Sequence, residues 1–216
     1  MSASGEAPGD RARPTTSAPL DTRRYGWVIG ILALALVIGF VLYTLSSHKS
    51  GAEGVPAGSQ LHLFAAPLAA STLDGDANLN PPCTLARHDP RALNVCLLIR
   101  RGPLVLAFFV TNSSQCERLL DTMQALAGQR RVRRAQYAAV AVNGSHADTA
   151  KAVREHRWTF PVAYDPDGGV GGLYGVTACP LVELVDRGGT VAQRLIGEDW
   201  TRQPALAARV RALLAR

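Results

Sequence analysis

The chain has 216 residues, 47% of them hydrophobic, with 23 basic and 17 acidic side chains giving a formal charge of +6. That apolar content is enough for a packed domain and excludes a wholly disordered or collagen-like chain. The positive excess is arginine-driven and is not interleaved with aromatics, so nucleic acid is not an expected partner.

In chain order, residues 1–24 are rich in Ser, Thr, Pro and Arg, the composition of a disordered tail. Residues 26–45 follow without a charge, long enough to cross a hydrocarbon core as a helix, and residues 25–45 read as a transmembrane anchor. Tyr25, Trp27 and Tyr43 stand where interfacial aromatics belong. Arg11, Arg13, Arg23 and Arg24 precede the span, and Lys49 alone follows closely. The positive-inside rule then predicts a single-pass cell-membrane protein with a cytoplasmic N-terminus and everything after Ser46 outside. A cleaved signal peptide is the alternative, but the apolar run exceeds a usual signal core and no clear A-x-A site follows. Gly26 and Gly30 form an isolated GxxxG pair. Residues 46–60 read as a flexible tether, leaving 61–216 as one extracytoplasmic domain.

All four cysteines, Cys83, Cys96, Cys116 and Cys179, fall in the exported part, where an even count favours disulfides. Four cysteines allow three pairings, and spacing does not choose among them. Cys83 and Cys96 are neighbours in sequence, flanked by Pro81-Pro82 and His88-Asp89-Pro90. They read as a structural staple worth about 3 kcal/mol in the chain-entropy model.

The periodicity of the domain is legible. Residues 104–110 are a continuous apolar run, the pattern of a buried parallel strand. Cys116, Leu119, Leu120, Met123 and Leu126 then recur at helical spacing, and Gly128 predicts a stop. Residues 137–142 predict a second buried strand ending at Asn143-Gly144. Ser145 and Asp148 predict the start of a helix over 147–156. Residues 160–164 read as a short extended piece, and 165–168 as a turn. Residues 181–186 and 190–195 flank Arg187-Gly188-Gly189, a hairpin signal, and 201–215 read as a closing amphipathic helix. This order implies an α/β domain, a central mixed sheet with helices on both faces.

Several features have bland readings. Arg130, Arg131, Arg133 and Arg134 suit a solvated helix end as well as an anionic lipid or polyanionic partner. His62, His88, His146 and His156 lack metal-site spacing, and Asp165-Pro-Asp167 does not continue as a calcium loop, so no metal or cofactor is expected. The glycines of 168–172 precede no phosphate-binding signature. Trp158 and Trp200 read as packing residues.

Four stretches then stand out together: PLVLAFFVTNSSQCER, FPVAYDPDGGVGGLYGV, TACPLVELVDRGGTV and RLIGE. Their order and spacing resemble the membrane-anchored, extracytoplasmic thioredoxin-like proteins of the TlpA type, in the superfamily that includes the AhpC/TSA peroxiredoxins. The match covers residues 103–200; Phe64-Ala-Ala-Pro67 resembles the family's first strand. The resemblance implies a thioredoxin-like fold after one N-terminal transmembrane helix. It also implies thiol-disulfide exchange with exported protein thiols or disulfides.

Residue by residue, the resemblance places Asn112 at the Trp of a W-C-x-x-C turn, Ser113 at the first Cys and Cys116 at the second. The first Cys is the family's nucleophile, and a serine hydroxyl without an adjacent base cannot attack a disulfide. Pro180 takes the position of the cis-proline facing the redox turn, which brings Cys179 within bonding reach of Cys116. Three states are open for that pair: a structural disulfide, a redox-active disulfide moved out of the CxxC turn, or two independent thiols. A non-catalytic binding module with structural bridges is the alternative to an oxidoreductase. A further alternative is a peroxiredoxin-like peroxidase using Cys116 in an S-x-x-C motif. That reading lacks the family's proline, because Phe109 stands there, and its arginine, because Pro180 stands there.

Overall fold

The structure is a computed structural model that describes residues 22–47, 54–77, 83–86 and 88–216. The tail expected at 1–24 lies almost wholly outside these residues. Helix α1, Thr22–Ser47, belongs to one compact unit, and the described residues from 54 onward form another. At about 1.5 Å per residue, its 26 residues extend roughly 39 Å. Its described side chains run from Gly26 to Leu42 and are exposed; within them no helix is long and apolar enough to cross a membrane.

The second unit opens with a small antiparallel pair, β1 (Ala65–Pro67) and β2 (Ala92–Asn94), followed by helix α2 (Val95–Arg101). Its centre is a five-stranded sheet in the order β5-β4-β3-β6-β7. Strands β3 (Leu104–Phe109), β4 (Gln136–Val142) and β5 (Val162–Asp165) are mutually parallel. Strand β6 (Leu181–Val185) runs antiparallel to β3, and β7 (Val191–Ile196) antiparallel to β6. The parallel connections are made by α3 (Ser114–Ala127) and α4 (His146–His156). A short helix α5 (Gly169–Leu173) precedes β6, and α6 (Gln203–Leu214) closes the chain.

Strand β3 explains why its sequence is apolar throughout. Val105, Ala107 and Phe109 pack on one face with Leu119, Leu120 and Met123 of α3 and Leu206 and Val210 of α6. Leu104, Leu106 and Phe108 face the opposite core, with Phe64, Val95, Leu98 and Tyr174. Both faces of this strand are covered, which favours an apolar residue at every position. Each such fully buried Leu or Phe stabilises by about 1.5–3 kcal/mol.

Several expectations need correction. The stretch read as a flexible tether over 46–60 is packed against the domain from Gly54 onward. Val55 is buried, the Gly58 N–H donates to Val191 O at 2.8 Å, and the Val191 N–H donates to Ser59 O at 2.9 Å. Backbone pairing along β7 holds this segment, which composition alone does not reveal. The glycine-rich connection contains helix α5. Its first turn is held by Asp165, whose Oδ2 accepts the Gly171 N–H at 2.8 Å. Gly171 sits against Val142, where any Cβ would collide with that side chain. The closing helix starts later than expected: a 3-10 turn, Glu198–Thr201, comes first, and Pro204 sits in the first turn of α6. Helix α3 does end where Gly128 stands, but with φ −76° rather than a left-handed cap.

Candidate functional site

Strand β3 ends at Phe109 and α3 begins at Ser114, so residues 110–113 form the turn that carries the site. Asn112 adopts φ +61°, a left-handed conformation that Asn tolerates better than most side chains. Its N–H donates to Glu117 Oε1 at 2.9 Å, folding the turn back on the first turn of α3. Ser113 is the N-cap residue, yet its side chain caps no backbone N–H. The hydroxyl is directed at Cys116, with Oγ and Sγ 3.1 Å apart. Cys116 is the third residue of α3, inside the turn whose N–H groups lack helical partners and where the dipole is positive.

Cys179 approaches from β6. The register pairs Phe108 with Leu181, which places the two residues before β6 beside the end of β3. The Cys179–Pro180 peptide is cis, as the resemblance implied for Pro180. Cys116 and Cys179 are joined as a disulfide, with Cα atoms 5.7 Å apart. Cys116 is only 3% exposed, on the apolar face of α3, whereas Cys179 is half-buried. Cys179 Sγ lies 3.9 Å from Phe108 O.

Cys83 and Cys96 form the second disulfide, with Cα atoms 6.0 Å apart. Both are buried in the other core, across the sheet from Cys116. This bridge fastens the loop after β1 to the first turn of α2, where the Cys96 N–H also points at Cys83 Sγ at 3.1 Å. Among the described residues no cysteine is free. A cleft of about 270 Å³ opens beside β2, lined by Leu68, Pro90, Leu97 and Arg101 among others, and includes none of these sulfurs.

A cluster that the sequence reading passed over lies along α3. His156, at the end of α4, has Nδ1 2.9 Å from Asp121 Oδ1 and Nε2 3.8 Å from Glu117 Oε2. The Trp158 indole N–H donates to the same Asp121 oxygen at 2.8 Å, and the His156 ring stacks on Trp158 at 4.8 Å. Trp158 is therefore a packing residue with a satisfied polar end, set edge-on against Phe109. Glu117 and Asp121 are four apart on a helix and so share a face. That spacing was a readable signal; their meeting with His156 was not. Among the described residues no group of His, Cys, Asp or Glu is arranged to hold a metal ion.

A buried acid that pattern reading missed is Glu183, fully buried in the middle of β6. Its Oε1 accepts the Val55 N–H at 2.7 Å. Burial pushes its carboxyl up to about 7, against the opposing pull of the Val55 N–H and the Arg194 charge. Asp165, equally buried, is also raised, chiefly by burial, while N–H groups of Gly171 and Val170 pull it down and Asp167 raises it further.

With this geometry in view, the sequence matches the AhpC/TSA family over residues 81–194, more than half of the chain. The chain belongs to the AhpC/TSA family. Among solved structures, this AhpC/TSA protein is similar to a putative thiol:disulfide interchange protein DsbE from Chlorobium tepidum. The identity is 21% and the TM-score 0.59, with 74% of this chain and 99% of that one covered. It is also similar to peroxidoxin BcpB from Mycobacterium tuberculosis, at 16% identity and TM-score 0.57, covering 74% and 96% of the two chains. A third is a secreted Mycobacterium tuberculosis disulfide oxidoreductase homologous to E. coli DsbE, at 17% identity and TM-score 0.54, covering 69% and 96%. At such identities these likenesses establish the thioredoxin-like fold. No curated protein matches the sequence.

Proposed function

We propose that this chain is a membrane-tethered, extracytoplasmic thioredoxin-fold protein of the TlpA type that exchanges thiols and disulfides through the Cys116–Cys179 pair. The observation that carries the reading is the position of that bridge. It lies at the N-terminus of α3, beside a cis-proline, with one sulfur-bearing residue buried and the other only partly buried. Thioredoxin-fold oxidoreductases work at this place with a CxxC turn; here Ser113 replaces the usual nucleophile and Cys179 supplies the missing sulfur. The partners are exported protein dithiols or disulfides, and neither a cofactor nor a metal enters the chemistry. Two of the similar structures carry names of disulfide-exchange proteins, which agrees with this class. A peroxidase reading fits less well, because Cys116 is buried and bonded to Cys179 rather than presented to solvent.

The anchor belongs to the same proposal. Residues 26–45 carry no charge, and the backbone helix over Thr22–Ser47 exceeds the length a hydrocarbon core requires. The arginines before it favour a cytoplasmic N-terminus under the positive-inside rule.

The test is disulfide mapping of the full chain in detergent across a series of dithiol redox buffers. A Cys116–Cys179 bridge that opens well before Cys83–Cys96, at a potential above about −300 mV, is the expected result. A bridge as resistant as its neighbour would make the protein a binding module with two structural disulfides. Carbonate extraction that released the domain from membranes would overturn the anchor.

A further inference from the structure

The two sulfurs of the Cys116–Cys179 bridge have unequal surroundings, and the inequality fixes a direction for exchange. Resting on the redox reading above, we propose that the sulfur attacked by a partner thiolate is Cys179 Sγ. Cys116 then departs as the thiolate, with the Ser113 hydroxyl as its hydrogen-bond donor. The resemblance paired Cys116 with Cys179 without saying which of the two sulfurs a partner attacks.

Three observations converge. Cys116 is 3% exposed and packs with Leu119, Leu120 and Met123, while Cys179 is half-buried in an irregular segment before Pro180. Of the two residues, Cys179 is therefore the more open to solvent. Next, Cys116 lies in the first turn of α3 with the Ser113 hydroxyl 3.1 Å from its sulfur. A helix N-terminus and a hydroxyl donor both favour negative charge, and a lower-pKa sulfur leaves faster. Finally, Cys179 Sγ lies 3.9 Å from the carbonyl oxygen of Phe108. The negative end of that dipole disfavours a thiolate there and makes Cys179 the poorer leaving group.

The step balances without an outside oxidant. A partner thiolate attacks Cys179 Sγ, the Sγ–Sγ bond breaks, and its electron pair goes to Cys116, leaving a mixed disulfide on Cys179. A second thiolate on the same partner attacks its own sulfur in that mixed disulfide and releases Cys179. The partner's two thiols are thereby oxidised to a disulfide, and Cys116 and Cys179 take up the two electrons. In the opposite direction, Cys179 attacks a partner disulfide and Cys116 resolves it. Ser113, no longer a nucleophile, stabilises the charge that develops on Cys116.

The assay uses the oxidised full chain with reduced glutathione, acid quenching, alkylation and peptide mapping. Glutathione on Cys179 with the alkyl group on Cys116, about tenfold over the reverse adduct, is the expected outcome. Glutathione on Cys116, or an even split, overturns the proposal while leaving exchange at the bridge intact. An unopened bridge with no adduct overturns both this proposal and the redox reading. Ser113→Ala should slow adduct formation by about tenfold, the loss expected for one charge-assisted hydrogen bond. It should also raise the thiolate pKa of Cys116, read by absorbance at 240 nm in a Cys179→Ala chain, and Ser113→Thr should restore it. An unchanged titration in Ser113→Ala overturns the role given to the hydroxyl.

Discussion

The Val55 N–H donates to Glu183 Oε1 at 2.7 Å, joining residues 128 apart in sequence. The bond ties the segment that precedes the domain to the centre of β6. Arg194, on the adjacent strand β7, donates from Nη1 to Gly54 O at 3.2 Å and completes the attachment.

Stability should fall as pH rises through neutrality. The Glu183 carboxyl is raised by burial from an ordinary 4.5 to about 7, so the folded state holds its proton more tightly than the unfolded chain. Its stabilising contribution is complete below about 4.5 and is lost as pH climbs through about 7. Asp165, raised in the same sense by burial, adds to the trend. Urea unfolding between pH 4.5 and 8 should show this slope, and Glu183→Gln should flatten it. An unchanged slope in that variant would remove Glu183 as its source.

Gly54→Ala should loosen the same attachment. Gly54 has φ +85°, and a Cβ there would run into Glu183 Oε1 and the Arg194 side chain. Destabilisation by more than about 1 kcal/mol is expected, since the strain of the left-handed backbone adds to the collision. Limited proteolysis should then cut within residues 54–60, where the wild type resists.

Asp121→Ala should expose a fault beside the start of α3. The variant strips the partner from the indole N–H of Trp158, which is 4% exposed. A buried donor left unpaired costs about 1–3 kcal/mol. Chemical denaturation measures that loss, and a changed Trp emission spectrum should accompany it. Equal stability in Asp121→Ala and wild type would show that water replaces the carboxylate.

Removal of the second bridge should separate stability from chemistry. The double variant Cys83→Ala with Cys96→Ala frees a loop between residues 13 apart and should lose about 3 kcal/mol. The bridge sits in the core across the sheet from Cys116, so glutathione exchange at Cys179 should stay near the wild-type rate. A large fall in that rate while the domain remains folded would contradict its purely structural role.

The parts of the molecule that were legible in sequence are those whose pattern is local. The run over β3 is apolar because both faces of that strand are covered, and the stripe from Cys116 to Leu126 marks the buried side of α3. The resemblance supplied the cis peptide at Pro180 and the approach of Cys179 to Cys116. What stayed hidden depends on contacts distant in sequence. In Leu181-Val-Glu-Leu-Val185, alternation does not reveal that Glu183 is buried, because its partner Val55 belongs to a stretch whose composition reads as linker. Likewise, Asp165 reads as a turn residue until its bond to Gly171 gives the glycine-rich stretch a reason to be helical. His156, Asp121 and Trp158 meet only when α4 returns beside α3, and the spacing of Glu117 and Asp121 on one helix face does not announce that meeting.

The flanks of the five-stranded sheet carry a consequence for recognition. On one outer strand, Val162 O accepts the Ala69 N–H at 2.9 Å and Leu68 bridges to Ala163. On the other, the backbone of Val191 is taken up by Gly58 and Ser59, and Thr190 bridges to Gln60. Exposed sheet margins template the addition of foreign strands, whether a bound peptide or an aggregating neighbour. Here the protein's own backbone already occupies part of both margins. An extended foreign chain would therefore find no vacancy at those stretches of β5 and β7.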